Sequence, residues 1–163
     1  MEPGRGEERF EDFYHREYPA MVALAFALTR SRAAAEDLAQ EAMTRAFRRW
    51  DDVAGYDNPG TWVRRVTINL CSNGARKLAS EARARLRLGP APAVSPPAEP
   101  FDEVWDAVRR LPAKQRAAVA LHYLEDRPVA EVADILDCEE STARVHLHRG
   151  RATLHSLLEG QDR

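Results

Sequence analysis

Apolar residues recur at mixed three- and four-residue steps through Phe10, Phe13, Tyr14, Met21, Leu24 and Leu28, the spacing of a helix with one buried face. Pro19 inside that run is expected to kink it. Ser31 is placed to cap a second helix over about Arg32 to Trp50. On that helix Leu38, Ala42, Ala46 and Trp50 share one side, and Asp37, Gln40, Glu41, Arg45 and Arg48 lie largely off it. Residues 51–58 lose the period and contain Gly55; Asn58 followed by Pro59 then supplies a cap and a first-turn proline for a third helix. Its inward stripe reads Trp62, Val66, Asn69 with Leu70, and Asn73, leaving Arg64, Arg65, Ile68, Arg76 and Lys77 on other faces, with fraying expected beyond Lys77.

The pattern stops at Gly89 to Pro100, where 12 residues hold five of the chain's ten prolines and no helix can continue. This segment reads as a linker between units 1–88 and 101–163, each near the lower size at which one core stands alone. The second unit opens with Phe101, Trp105 and Val108 at helical steps, breaks near Leu111 and Pro112, and resumes from Ala113 to about Leu124 with Val119 and Tyr123 in the pattern. A short apolar helix from Val129 to Leu136, a turn from Asp137 to Glu140, and a helix beginning at Ser141 follow. The last helix repeats Ala143, Leu147, Gly150, Leu154 and Leu157 at steps of four, three, four and three. Helix, tight turn, helix is a helix-turn-helix. Such a unit needs a small residue where its helices touch, here Ala133, and a residue tolerant of positive φ four later, here Asp137, where glycine would be the safer choice.

Composition agrees with an all-α fold of two small helical domains joined by a Pro-rich linker, the C-terminal one a helix-turn-helix. Ala and Leu number 42 against 13 for Val and Ile, an excess that favours helix over sheet. The longest uncharged run, between Glu17 and Arg30, holds 12 residues, short of the roughly 20 that cross a bilayer. With no signal-peptide pattern at the start, the expected location is the cytoplasm, with no membrane insertion. Cys71 and Cys138 have no paired spacing, so reduced thiols are expected rather than a disulfide framework.

Charge changes the picture by its distribution. The chain's formal net charge is −2, yet Trp62 to Leu88 carries seven basic residues against the single acid Glu81, and Ser141 to His155 carries Arg144, Arg149 and Arg151 with no acid. The second helix of a helix-turn-helix lies in the DNA major groove. With Ala143, Leu147, Gly150 and Leu154 turned inward, the opposite surface presents Thr142, Arg144, Val145, His148, Arg149 and Ala152. Arg144 and Arg149 are the candidate groove readers. An ordinary helical hairpin has the same spacing; the arginines favour DNA. Glu139 and Glu140 are read first as complements of the positive helix N-terminus. The third helix combines Trp62, basic side chains and the amides Asn69 and Asn73, a mixture that grips phosphates and exposed bases, although Trp62 itself is read as core. His146, His148, His155 and Cys138 match no metal-ligand spacing, and no nucleophile elbow, phosphate loop or His-Glu-x-x-His stretch is present. Neither a metal, a cofactor nor an enzymatic activity is expected.

These residues resemble a known family. Asp37 to Phe47, DLAQEAMTRAF, is similar to the core-polymerase-binding helix of bacterial RNA polymerase sigma factors. Trp62 to Lys77, WVRRVTINLCSNGARK, resembles their promoter-melting and minus-ten helix, and Val129 to Leu154 their fourth-region helix-turn-helix. Two regions joined by a short linker resemble the extracytoplasmic-function group. The resemblance implies core RNA polymerase and promoter DNA as partners, with an anti-sigma factor as a further candidate. It implies polymerase contacts at Asp37, Gln40 and Glu41 with Phe47 nearby, and minus-ten contacts at Arg64, Arg65, Asn69, Arg76 and Lys77. The loop at Asp57 and Asn58 stands where family members hold a flipped base, and Arg144, His148, Arg149 and Arg151 fall in the minus-thirty-five helix. Departures from the family pattern are Asp137 at the turn glycine, Ala143 at the usual valine and His146 at a commonly basic position. The alternative from another class is a homodimeric operator-binding regulator independent of polymerase, and a third is a pure protein-interaction module.

Overall fold

The computed structural model describes residues 8–86 and 102–160. The proline-rich linker and Phe101 lie outside the described residues. The described residues form eight helices and no strand: α1 Phe10–Thr29, α2 Arg32–Arg48, α3 Trp50–Val53, α4 Pro59–Leu86, α5 Asp102–Arg109, α6 Ala113–Tyr123, α7 Val129–Leu136 and α8 Glu140–Glu159.

Local chemistry sets most of the boundaries. The Ser31 hydroxyl accepts the Ala34 N–H at 3.2 Å and opens α2, and Asn58 Oδ1 accepts the Thr61 N–H at 3.1 Å and opens α4 one residue before Pro59. Asp137 ends α7 at φ 54° and ψ 51°, the left-handed conformation expected of that position, while the next N–H, from Cys138, returns to the Ala133 carbonyl at 3.0 Å. Three boundaries differ from the sequence reading. The second helix ends at Arg48, and Trp50–Val53 forms a short helix of its own in what read as aperiodic chain. The third helix continues past Lys77 to Leu86. The α8 helix starts at Glu140, with Glu139 in the cap position.

In the N-terminal half α1 packs on α2 and α4, burying Phe13, Met21, Leu24, Ala39, Met43 and Val63. In the C-terminal half α8 packs on α5, α6 and α7 around Val108, Leu121, Val132, Ile135, Ala143 and Leu147. The halves also meet, α1 against α5 and α6 and α4 against α7, so that one buried cluster runs through both.

The inward face of α4 is not the stripe the sequence suggested. Val63, Arg64, Thr67, Ile68 and Cys71 are buried, Trp62 and Val66 are half-buried, and Asn69 and Asn73 are exposed. Polar residues with internal partners disguise the true face. The Thr67 hydroxyl donates to the Val63 carbonyl at 2.8 Å, and Arg64 is neutralised by carboxylates from outside its helix. Tyr123, read as part of the inward pattern of its helix, points outward at 53% exposure, its hydroxyl 3.3 Å from Arg151 Nη1.

Candidate nucleic-acid interface

The α8 helix is seated by Ala143, Leu147 and Gly150, all buried, with Leu154 and Leu157 half-buried behind them. That stripe leaves Thr142, Arg144, Val145, His148, Arg149 and Arg151 exposed on the remaining circumference. Arg144 pairs with Glu140 one turn earlier, Nη2 to Oε1 at 2.5 Å, a charge-assisted contact between two exposed side chains. Glu140 therefore pairs with an arginine in addition to standing at the positive helix end. His146 sits half-buried at the rim of this surface. Burial first, then the Lys114 and Arg149 cations, hold its imidazole below the usual histidine range and favour the neutral ring at pH 7.

A second basic surface lies on the other half of the molecule. A cleft of about 430 Å³ is lined by Arg45, Arg48, Arg49, Trp62, Arg65, Val66 and Asn69. Four guanidinium groups around an indole and an amide make a site suited to a phosphodiester and its bases. Of these, Arg65 and Asn69 were expected from sequence. Arg45, Arg48 and Arg49 were not, although their positions at the C-terminal end of a helix with a polar outer face carried a signal. They reach α4 only through the α2–α4 packing. Lys77 is exposed further along α4, Asp57 and Asn58 are exposed before it, and Arg76 lies on the same helix.

Arg64 departs from its expected place. Its side chain is 7% exposed, with Nη1 2.9 Å from Glu17 Oε2 and Nε 2.7 Å from Glu125 Oε2, and Nη1 also donates to the Gly60 carbonyl at 3.0 Å. Gly60 leaves room for this pair, since a Cβ there would fall 2.9 Å from Glu17 Oε1 and 3.0 Å from Arg64 Nη1 and would push these side-chain ends aside. A guanidinium satisfied on three sides inside the fold is not an open DNA contact, because stripping it of a carboxylate would strand a buried charge.

On the far side of α2, Asp37 and Gln40 are exposed and Glu41 is half-buried. Gln40 Oε1 accepts the Tyr14 hydroxyl at 3.2 Å, and Glu41 pairs with Arg45 at 3.0 Å. Phe47 is 63% exposed yet packs edge-on against Phe10, ring centroids 5.1 Å apart. Phe47 therefore leaves a large aromatic face in solvent beside the polar groups of α2.

The family model for Sigma-70 region 2 matches residues 13–81, and that for Sigma-70 region 4 matches residues 101–154. The RNA polymerase sigma-E factor of Streptomyces avermitilis is 30% identical over 158 residues, covering 94% of this chain and 87% of the relative. The chain belongs to the sigma-70 family. The ECF RNA polymerase sigma factor SigM of Mycobacterium tuberculosis is 28% identical over 91% of this chain and 76% of its own length, which places this sigma factor in the extracytoplasmic-function group. A probable RNA polymerase sigma factor of Xanthomonas campestris, RfaY, is 35% identical over 85% of this chain, but the match spans only 37% of that longer protein. Among solved structures, the sigma factor RpoE in its complex with the anti-sigma factor NepR from Bartonella quintana superposes with a TM-score of 0.74 at 24% identity, over 92% of this chain and 96% of that one, and so shares the all-α fold. A sigma factor directs RNA polymerase to promoters, and the homodimeric operator binder is not favoured. Among the described residues no helix is long and apolar enough to cross a membrane.

Proposed function

We propose that this sigma factor engages core polymerase through the α2 surface at Asp37, Gln40, Glu41 and Phe47, and reads the minus-thirty-five element with Thr142, Arg144, Val145, His148, Arg149 and Arg151. The minus-ten strand runs along Arg65, Asn69, Arg76 and Lys77 into the arginine cleft, and an unstacked base is taken by the loop at Asp57 and Asn58. Arg64 is structural in this scheme. The chain works in the cytoplasm and performs no covalent chemistry; the polymerase supplies the catalysis. Units 1–88 and 101–163, tethered through 89–100, each neutralise few phosphates and bind DNA weakly alone, because the salt-dependent affinity scales with the charges paired. Docking both on one enzyme makes the second contact intramolecular. An anti-sigma factor is a further proposed partner, by extension from the complex in which RpoE was solved.

The observation that carries this reading is the exposure of Asp37, Gln40 and Phe47 beside a fold that needs none of them for its core. The test is run-off transcription with purified core enzyme on genomic fragments. Transcripts that depend on the added chain, with an asymmetric footprint seen only in the presence of core, are expected; a symmetric footprint on DNA without core would instead indicate the operator-binding regulator.

A further inference from the structure

Gln40 is a long, exposed side chain, yet one end of it is fixed from another helix. The Tyr14 hydroxyl of α1 donates to Gln40 Oε1 of α2 at 3.2 Å. The tyrosine ring is itself placed by its own helix. Tyr18, four residues on, stacks on it with centroids 4.9 Å apart and an interplanar angle of 12°, and Phe10, four residues back, meets it at 6.1 Å. Side chains at this spacing share one helix face. The packing of α1 on α2 through Phe13, Met21, Ala39 and Met43 then brings the hydroxyl to Gln40. A carboxamide accepts through its oxygen and donates through its nitrogen. With Oε1 taken by Tyr14, Nε2 is the end left for a partner. The surroundings agree. Glu36 and Asp37 are exposed one turn earlier on α2, and their charge reaches the tyrosine stack: burial first, then Tyr14, Glu36 and Asp37, hold the Tyr18 phenol above its ordinary 10.0. An N–H group turned toward carboxylates is favoured over a carbonyl oxygen turned the same way.

We propose that Tyr14 is a positioning residue of the polymerase interface: its hydroxyl holds the Gln40 amide with nitrogen outward, so that Gln40 donates to a neutral carbonyl oxygen on core polymerase. This rests on the assignment of Gln40 to that interface, and adds to it an orientation and the chemistry of the opposing group. A carboxylate is disfavoured as that group because Glu36, Asp37 and Glu41 would repel it. An amide already held in its bound rotamer does not lose that freedom on docking, and this is the contribution of Tyr14 to affinity. Tyr14 acts through Gln40.

The experiment titrates labelled full-length chain with core polymerase for wild type, Tyr14→Phe, Gln40→Ala, the double variant and Gln40→Glu. Tyr14→Phe keeps the ring stack and is expected to leave the thermal midpoint unchanged while weakening core binding by about fivefold. In the Gln40→Ala background the same change is expected to cost nothing further. Gln40→Glu keeps an acceptor for Tyr14 but lacks the outward donor, so it is expected to bind core no better than Gln40→Ala. That comparison stands if circular dichroism shows Tyr14→Phe unfolded. The proposal is overturned if Tyr14→Phe binds as wild type, if its loss persists undiminished without Gln40, or if Gln40→Glu binds as wild type. Gln40→Ala binding core as tightly as wild type would remove the assignment of Gln40 to the interface. A weakened Gln40→Ala beside an unaffected Tyr14→Phe would remove only the positioning role, so the two failures are distinct.

Discussion

Gly150 faces Val119 so closely that a Cβ added to the glycine would lie 2.9 Å from the valine Cγ2. This contact sets how near α8 approaches α6, and hence how the exposed side chains of α8 are presented. The valine is stiff at χ1 and cannot swing away. Gly150→Ala gains up to about 1 kcal/mol in helix propensity but meets an overpacking cost of about 1–3 kcal/mol. A net loss of roughly 1 kcal/mol is expected, seen as a thermal midpoint lower by about 2–4 °C, and an unchanged or higher midpoint would contradict the packing account.

Arg149 and Lys77 should fail in different ways. Both are exposed, so Arg149→Ala and Lys77→Ala are each expected to alter folding stability by no more than about 0.5 kcal/mol. As a base reader, Arg149 is worth about 1–3 kcal/mol of discrimination, and its removal should flatten the response to minus-thirty-five base changes in run-off assays. As a phosphate contact, Lys77 should weaken all promoters alike and reduce the salt slope by about 1.

Phe47 is the aromatic group of the proposed polymerase surface and is 63% exposed. Phe47→Ala is expected to weaken binding to core enzyme by about tenfold, the scale of a moderate interface hot spot, with a small loss from the Phe10 ring contact. Titration of labelled chain with core polymerase measures it, with thermal denaturation as the control.

Burial pushes the Cys71 thiol from its ordinary 9.0 up to about 12, with the nearby Arg116 cation opposing the shift only in part. The folded chain thus holds this proton through a range in which the unfolded chain has released it. The sign follows: the contribution of this group to stability is complete below pH 9 and is lost as pH rises from about 9 toward 12. Cys71→Ser should show a weaker alkaline loss in denaturant titrations. In the native wild-type chain at pH 8, Cys138, only half-buried, should react with a thiol reagent well before Cys71.

Features whose causes lie within a few residues were legible in the chain itself. The Ser31 and Asn58 caps, the left-handed Asp137, the small residue Ala133 and the Ala143, Leu147 and Gly150 stripe each follow from a neighbour three or four positions away, where helix geometry dictates the contact. The exposed face of α8 followed from its stripe. The family motifs likewise sit on continuous helices.

What needed the fold was every feature made by partners far apart. The inward side of α4 could not be read from apolar spacing, because Arg64 and Thr67 are buried polar residues and the carboxylates that neutralise Arg64 come from Glu17 and Glu125. The arginine cleft was hidden for the same reason: Arg45, Arg48 and Arg49 belong to α2, and only the packing of α2 on α4 brings them beside Trp62 and Arg65. Helical periodicity carries information over one or two turns. The pairing of charges across the two halves depends on which surfaces meet when the core closes, and that was decided by the tertiary structure alone.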